Sequence, residues 1–271
     1  MRRFAAPALL VATCIAATSI AAQPAAAPDF QSGGISWAGI GGGELLPVPG
    51  SPKPVTQDPR YKYTPNGQGA QPTFRVGDLS NPNLKQWVKD VMKKDTDEID
   101  RGKIAYQSSS SCEPSGIPLM FAYPRPMLIL QTPTKVVMLK EGGEFRHIYL
   151  NVPHSANPKP SWLGESVGHY EGDTLVVDTI GQNTKTFLDI YRTPHSEKVH
   201  VVERWRTIDG GKGLELKITV DDPEAFYQPW SAVVRDRRGD EGFTVEEICA
   251  ESNENFGLFD FHTPVAKTPD F

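Results

Sequence analysis

Residues 193–205, TPHSEKVHVVERW, place two histidines, two glutamates and an arginine in a stretch that otherwise alternates like a β-strand. With VHVVERWRTI extended, Val199, Val201, Glu203, Trp205 and Thr207 share one face, and His200, Val202, Arg204, Arg206 and Ile208 share the other. The first face is the more apolar and is expected to look inward, carrying Glu203 with it. A buried, unpaired carboxylate costs several kcal/mol, so Glu203 needs a cationic partner or must hold a proton. Either outcome is chemically consequential: a carboxyl group in an apolar enclosure is a candidate general acid or base.

Three further stretches supply partners for it. In EFRHIYL, Arg146 lies on the face opposite to Phe145, His147 and Tyr149. An inward Arg146 would neutralise Glu203 or stabilise a developing oxyanion, whereas an inward His147 would relay a proton or contact substrate. In DTLVVDTIG both faces are largely apolar, so Asp178 is either a second interior carboxylate or the holder of a turn or loop. His154 and His195 sit in the Pro-containing loop sequences VPHSANP and TPHSEK, where an imidazole can act as acid or base near neutral pH. Zinc is a poorer fit, because His200 and Glu203 point to opposite sides of an extended strand. Ser196 lacks the Gly-x-Ser-x-Gly context of a strained nucleophile turn. GIGGG at 39–43 lacks the Lys-Ser/Thr ending of a phosphate loop.

The elements that must hold these groups follow from composition and periodicity. Residues 1–22 read as a secretory signal peptide, with Arg2 and Arg3 before an apolar run ending in small residues. Its removal takes the formal charge from −5 to −7 through the loss of those two arginines. An acidic chain without a Lys/Arg cluster is a poor partner for nucleic acid. No second apolar run approaches the length of a bilayer span. The expectation is a periplasmic or secreted product with a small-molecule ligand or substrate, no membrane span and no cofactor. Cys112 and Cys249 would then be the remaining cysteines, and an oxidising compartment favours a disulfide between them.

Residues 23–110 read as a Pro/Gly-rich arm with apolar anchors such as Trp37, Leu45 and Tyr61, followed by an amphipathic helix over about 82–100. Leu84, Trp87, Val88, Val91 and Met92 form its apolar stripe, with Pro82 in the first turn. Residues 111–271 read as a β-barrel domain, and from Pro126 the period changes to two. Nine short strand sequences, from PMLILQ to FTVEEICAE, are separated by turns such as Glu141-Gly142-Gly143 and Glu171-Gly172-Asp173. Such a series predicts a mainly β chain. Its antiparallel meander closes into a calycin-like β-barrel, because closure removes exposed edges.

The sequences CEPSGIP, MLILQTP, FRHIYL with His154 after it, GESVGHYEGDTLVVDTIG, PHSEKVHVVERWR, DDPEAFYQPW and EICAESN resemble a family of exported bacterial proteins marked by EGDTLVVDT and HSEKVHVVER blocks. The resemblance spans residues 112–253, and DLSNPNLKQW extends it upstream. It points to these segments rather than to a reaction, and Tyr170 departs from it by standing where a Trp is usual.

These features together lead to the expectation of an exported isomerase, cyclase or lyase working in the barrel lumen on an apolar or aromatic molecule. Glu203, His154, His195, Arg146 and Asp178 would be its reactive groups. Tyr170, Trp205, Trp230 and His147 would line the pocket. The alternatives are a non-catalytic periplasmic ligand-binding or envelope-associated protein and a metal-dependent hydrolase.

Overall fold

A computed structural model describes residues 27–31, 36–39, 45–61, 75–101, 106, 108, 112–123 and 125–239. The chain is mainly β, and its wall is a closed barrel. The strands are β1 (Trp37–Gly39), β2 (Leu46–Pro47), β3 (Met127–Gln131), β4 (Lys135–Lys140), β5 (Glu144–Leu150), β6 (Glu165–Glu171), β7 (Thr174–Ile180), β8 (His200–Ile208), β9 (Gly213–Asp221) and β10 (Trp230–Arg238). The helices are α1 (Gln86–Asp100) and the short α2 (Leu119–Ala122). The ring runs β1-β3-β4-β5-β6-β7-β8-β9-β10 and returns to β1.

Eight of the nine expected strands are present where the alternation put them. The ninth, FTVEEICAE, falls outside the described residues, as do the signal peptide and Cys249. The ring is completed from the arm. Trp37–Gly39 pairs antiparallel with Asp236–Arg238 on one side, and Trp37 pairs with Met127 on the other. β2 continues along the same edge of β10. The Pro/Gly composition hid this role because three residues around one large anchor suffice. Trp37 is 1% exposed, and its indole N–H donates to the Phe30 carbonyl at 2.9 Å.

Strand parity dictates a second departure from a plain meander. Directions that alternate around a closed ring cannot match up when the number of strands is odd, so one neighbouring pair must be parallel. That pair is β5–β6, with Ile148 opposite Ser166 and Leu150 opposite Gly168. A parallel pair needs a crossover, and residues 151–164 supply it. Gly168 faces inward at this crowded seam. A Cβ there would lie 2.8 Å from the Val176 carbonyl and 3.1 Å from Ile148.

The interior is filled. Ile129, Met138, Ile148, Leu175, Val177, Val201, Trp205, Leu216 and Ile218 are all buried. All four residues of α2 are buried as well. Phe121 on α2 meets Trp205 edge-on at 4.9 Å, and the Arg146 guanidinium lies over its ring at 5.7 Å. α2 is therefore a plug touching inward residues of several strands.

α1 starts later than its stripe predicts. Leu84 bridges to Phe226, the Lys85 N–H donates to the Ala225 carbonyl, and Asn83 exchanges hydrogen bonds with Gln228. These bonds to the β9–β10 connection hold the Pro82 turn extended, and the helix begins at Gln86. Val88, Met92 and Ile99 face the core, while Trp87 and Val91 remain partly exposed.

Trp37→Ala should cost about 3–5 kcal/mol, the usual range for deleting a buried aromatic. A urea-unfolding midpoint unchanged from the wild type would show that the arm does not close the wall.

Candidate functional site

Glu203 faces inward, as the alternation requires, and is fully buried. Its partner is Arg146, itself only 1% exposed. Nη2 donates to Oε1 at 2.6 Å and Nη1 donates to Oε2 at 2.8 Å. Two parallel N–H···O contacts of this kind form the strongest geometry for a guanidinium and a carboxylate. The Trp205 indole N–H also donates to Oε2, at 2.9 Å. Arg146 spends its remaining donors on the Ser166 hydroxyl at 3.0 and 3.2 Å and the Thr179 hydroxyl at 2.8 Å. Every charge in this cluster has a partner, and the plug covers it. The carboxylate is held, with 0% of its surface exposed.

The other expected lumen residues divide accordingly. Trp205 and Trp230 are core side chains at 0% and 1% exposure. Tyr170 packs at the barrel end, where its hydroxyl accepts from Gln131 Nε2 at 2.8 Å. His147 points outward and is exposed, because Arg146 takes the inward position beside it. His195 is buried and satisfied. Its Nδ1–H donates to the Ser196 carbonyl at 2.9 Å, and Nε2 accepts from the Thr186 hydroxyl at 2.8 Å. Burial pulls its pKa below the ordinary histidine value, so the neutral ring is the form that fits. His195 is thus a structural histidine, separate from Glu203.

Asp178 and His154 do come together, on the outside of the wall. Leu175, Val177 and Thr179 take the inward face of β7, which turns Asp178 outward. His154 lies on the crossover, and that segment is tied down where Ser161 N–H donates to the Gly181 carbonyl and Asn183 N–H donates to the Ser161 carbonyl. The His154 ring sits between two carboxylates, with Nδ1 3.0 Å from Glu165 Oε1 and Nε2 2.8 Å from Asp178 Oδ1. Asp178 Oδ2 in turn meets His200 Nε2 at 2.9 Å. Ser155 closes the other end, its backbone N–H donating to Glu165 Oε1 at 2.7 Å and its hydroxyl donating to Oε2. Carboxylates only accept, so both His154 contacts are made together only by a ring carrying both protons.

Sequence reasoning missed Glu165 and gave His200 no role beyond metal. The usable signal was register: Ser166 opposite Thr179 sets Glu165, Asp178 and His200 along one outer patch of three adjacent strands.

The charges of the patch reinforce one another. Hydrogen bonds from Ser155, then the His154 contact, hold the Glu165 carboxyl below its usual pKa. The His200 hydrogen bond, with His154 adding to it, does the same for Asp178 against a desolvation penalty. The Asp178 hydrogen bond raises His200 above the ordinary histidine value, and Asp221 opposite it in the register contributes. A metal is not the natural occupant. The ring nitrogens point at carboxylate oxygens rather than at a common centre, and no metal-holding group of three or more such residues occurs among the described residues.

Beside this row the crossover stands over the outer face of β5 and leaves a groove of about 660 Å³. Phe145, His147 and Tyr149 line it from the strand, and Ser155, Lys159, Trp162 and Glu165 from the crossover side. Phe145 is 59% exposed and Tyr149 45%. Glu165 and Ser155 therefore belong both to the groove wall and to the charged row.

No family model, curated protein or solved structure matches the chain. Among the described residues no helix is long and apolar enough to cross a membrane.

Glu203→Gln should destabilise by about 3–5 kcal/mol, because it strands a buried guanidinium. The double variant Arg146→Met with Glu203→Leu should be more stable than either single variant in chemical unfolding. A double variant that loses the sum of both single effects would refute the compensated pair.

The outer row makes a pH prediction. Asp178, with its pKa below 3.8 in the fold, stabilises above 3.8 and ceases to do so as pH falls through its folded value. His200, with its pKa above 6.5 in the fold, stabilises fully below 6.5 and ceases to do so as pH rises through its folded value. Stability should therefore fall as pH rises from about 6.5 through the folded value of His200, and His200→Asn should flatten that fall. An equal slope in both proteins would remove His200 from the account.

Proposed function

We propose that this chain is an exported enzyme that acts on a small, flat, largely apolar molecule by proton transfer, in the outer groove rather than in the barrel lumen. One observation carries the reading: a histidine bracketed by two carboxylates, one of which forms the wall of a groove lined by Phe145, His147, Tyr149 and Trp162. Glu165 is the group that meets the ligand. As the carboxylate it accepts a proton from the bound molecule, and the Ser155 hydroxyl steadies it. His154 stands behind Glu165 and shares protons with it, while Asp178 fixes the ring from the far side and connects it to His200. His200 is partly exposed and exchanges the proton with solvent. General acid–base assistance of this kind supplies about 10²–10⁴ in rate, which suits an isomerase, cyclase or lyase needing no metal or nucleotide.

The segments that contribute are those of the exported-family resemblance. EGDTLVVDT brings Asp178, HSEKVHVVER brings His200, and the stretch after FRHIYL brings His154. A Cys112–Cys249 disulfide and a cleaved signal peptide complete the exported reading.

A second reading has its own support. Exposed Phe145 and Tyr149 are enough to hold an aromatic ligand without turnover, as in a periplasmic binding or envelope-associated protein.

A panel of small aromatic compounds, screened by thermal shift and then by mass spectrometry for conversion, separates the two. Glu165→Gln and His154→Ala should lower kcat on a converted compound by about 10²–10⁴ with KM little changed, and Phe145→Ser should raise KM. Binding that Phe145→Ser abolishes, with no conversion of any compound, would favour the binding protein. Conversion indifferent to both Glu165 and His154 would remove the proton row from the mechanism.

A further inference from the structure

Lys140 ends β4 at an inward position, towards the same end of the barrel as that charged row, and is only 6% exposed. It forms no ion pair among the described residues. Its Nζ donates instead to two backbone carbonyls at the end of the plug, Met120 and Tyr123, the latter at 2.8 Å. Two of its three hydrogen-bonding directions are thereby taken, and the third carries a proton in the ammonium and the lone pair in the neutral amine. Lys140 also lines a pocket of about 140 Å³, together with Ser115, Tyr123, Arg125 and the Glu141–Gly142–Gly143 turn. That volume suits a molecule of a few heavy atoms.

We propose that Lys140 is a carbonyl-reactive amine that takes a small oxo acid as an imine, with Arg125 receiving the carboxylate. In the forward step the Lys140 lone pair attacks the carbonyl carbon, and the carbonyl π pair moves to oxygen. That oxygen takes up protons, including those released by the amine, and departs as one water as the C=N bond forms. Water attack on the imine reverses the step. No oxidant or reductant takes part.

The surroundings fit this chemistry. Burial pulls the Lys140 pKa down to about 8, against the opposing pull of Glu144 and Asp236, and Arg125 lowers it further. Burial raises Asp236 to about 6, the Lys140 charge opposing. A lysine whose charge is disfavoured by its enclosure is the usual source of a nucleophilic amine in a protein. The acidic groups around the pocket are accounted for in part by other bonds. Glu144 accepts from the Ser115 N–H, and Glu113 accepts from the Tyr106 hydroxyl. Glu141 remains on the turn and repels a second carboxylate on the ligand, which favours a monocarboxylate such as glyoxylate.

The experiment uses the full chain, glyoxylate and cyanoborohydride near neutral pH, with peptide mapping of the carboxymethyl adduct. Lys140 should label faster than exposed Lys198, whose amine Glu224 holds in the charged form, by on the order of tenfold. Its labelling should rise to half-maximum near its lowered pKa. Arg125→Gln should slow labelling by glyoxylate while leaving labelling by formaldehyde unchanged, and that contrast identifies the oxo acid. Adducts spread over the exposed lysines with Lys140 unlabelled would overturn the proposal, in the wild-type protein and without reliance on a variant that must fold. Equal labelling by both aldehydes, indifferent to Arg125, would overturn the ligand class.

Discussion

A guanidinium and a carboxylate locked together inside an apolar barrel constrain almost everything around them. Taking either charge out of water alone would cost several kcal/mol. The pair persists because both oxygens of Glu203 and the donors of Arg146 are matched by each other, by Trp205, by Ser166 and by Thr179. These partners come from β5, β6, β7 and β8, so the cluster ties four adjacent strands into one register. A slip of one residue in any of them would turn its polar member outward and leave a buried charge exposed to the core. The Phe121 ring covers the pair from inside, which makes the plug part of the same constraint.

From that register follows the geometry outside the wall. Placing Arg146, Ser166, Thr179 and Glu203 inward obliges their sequence neighbours to point outward. Glu165, Asp178 and His147 are such neighbours. The odd strand count adds the parallel β5–β6 seam, and the seam requires the crossover that carries His154. The inner ion pair and the outer charged row are thus two faces of one arrangement. The inner face is committed to stability, and the outer one retains groups that meet solvent and a groove.

Much of this was readable from residue types and spacing. Alternation in β3 to β10 gave the barrel, and the apolar face of VHVVERWRTI gave the inward Glu203. What it could not give was whether the buried carboxylate had been left free for chemistry. That depends on Arg146 and on two hydroxyls from other strands, and a single strand's pattern does not contain them. Trp205 and Trp230 read equally well as pocket wall or core filler, because burial without knowledge of the plug leaves both open. Asp178 sat on a strand apolar on both faces, so period two carried no direction. His195 was ambiguous because its loop sequence is polar while its position is buried. The strand within the arm escaped notice for a different reason: β1 is three residues long and its pairing comes from strands far along the chain.

That last strand has a bearing on how the protein comes into being. Trp37 pairs with Met127 and with Arg238, so the ring joins early chain to late chain. During synthesis β1 can meet β3 early, but the ring cannot close until β10 has left the ribosome. Loop entropy must be overcome before those contacts form, which makes closure a high-contact-order event and the slow one in folding. A nascent chain of this design stays open-walled until β10 is made, and until then the charges of Arg146 and Glu203 lie within reach of water.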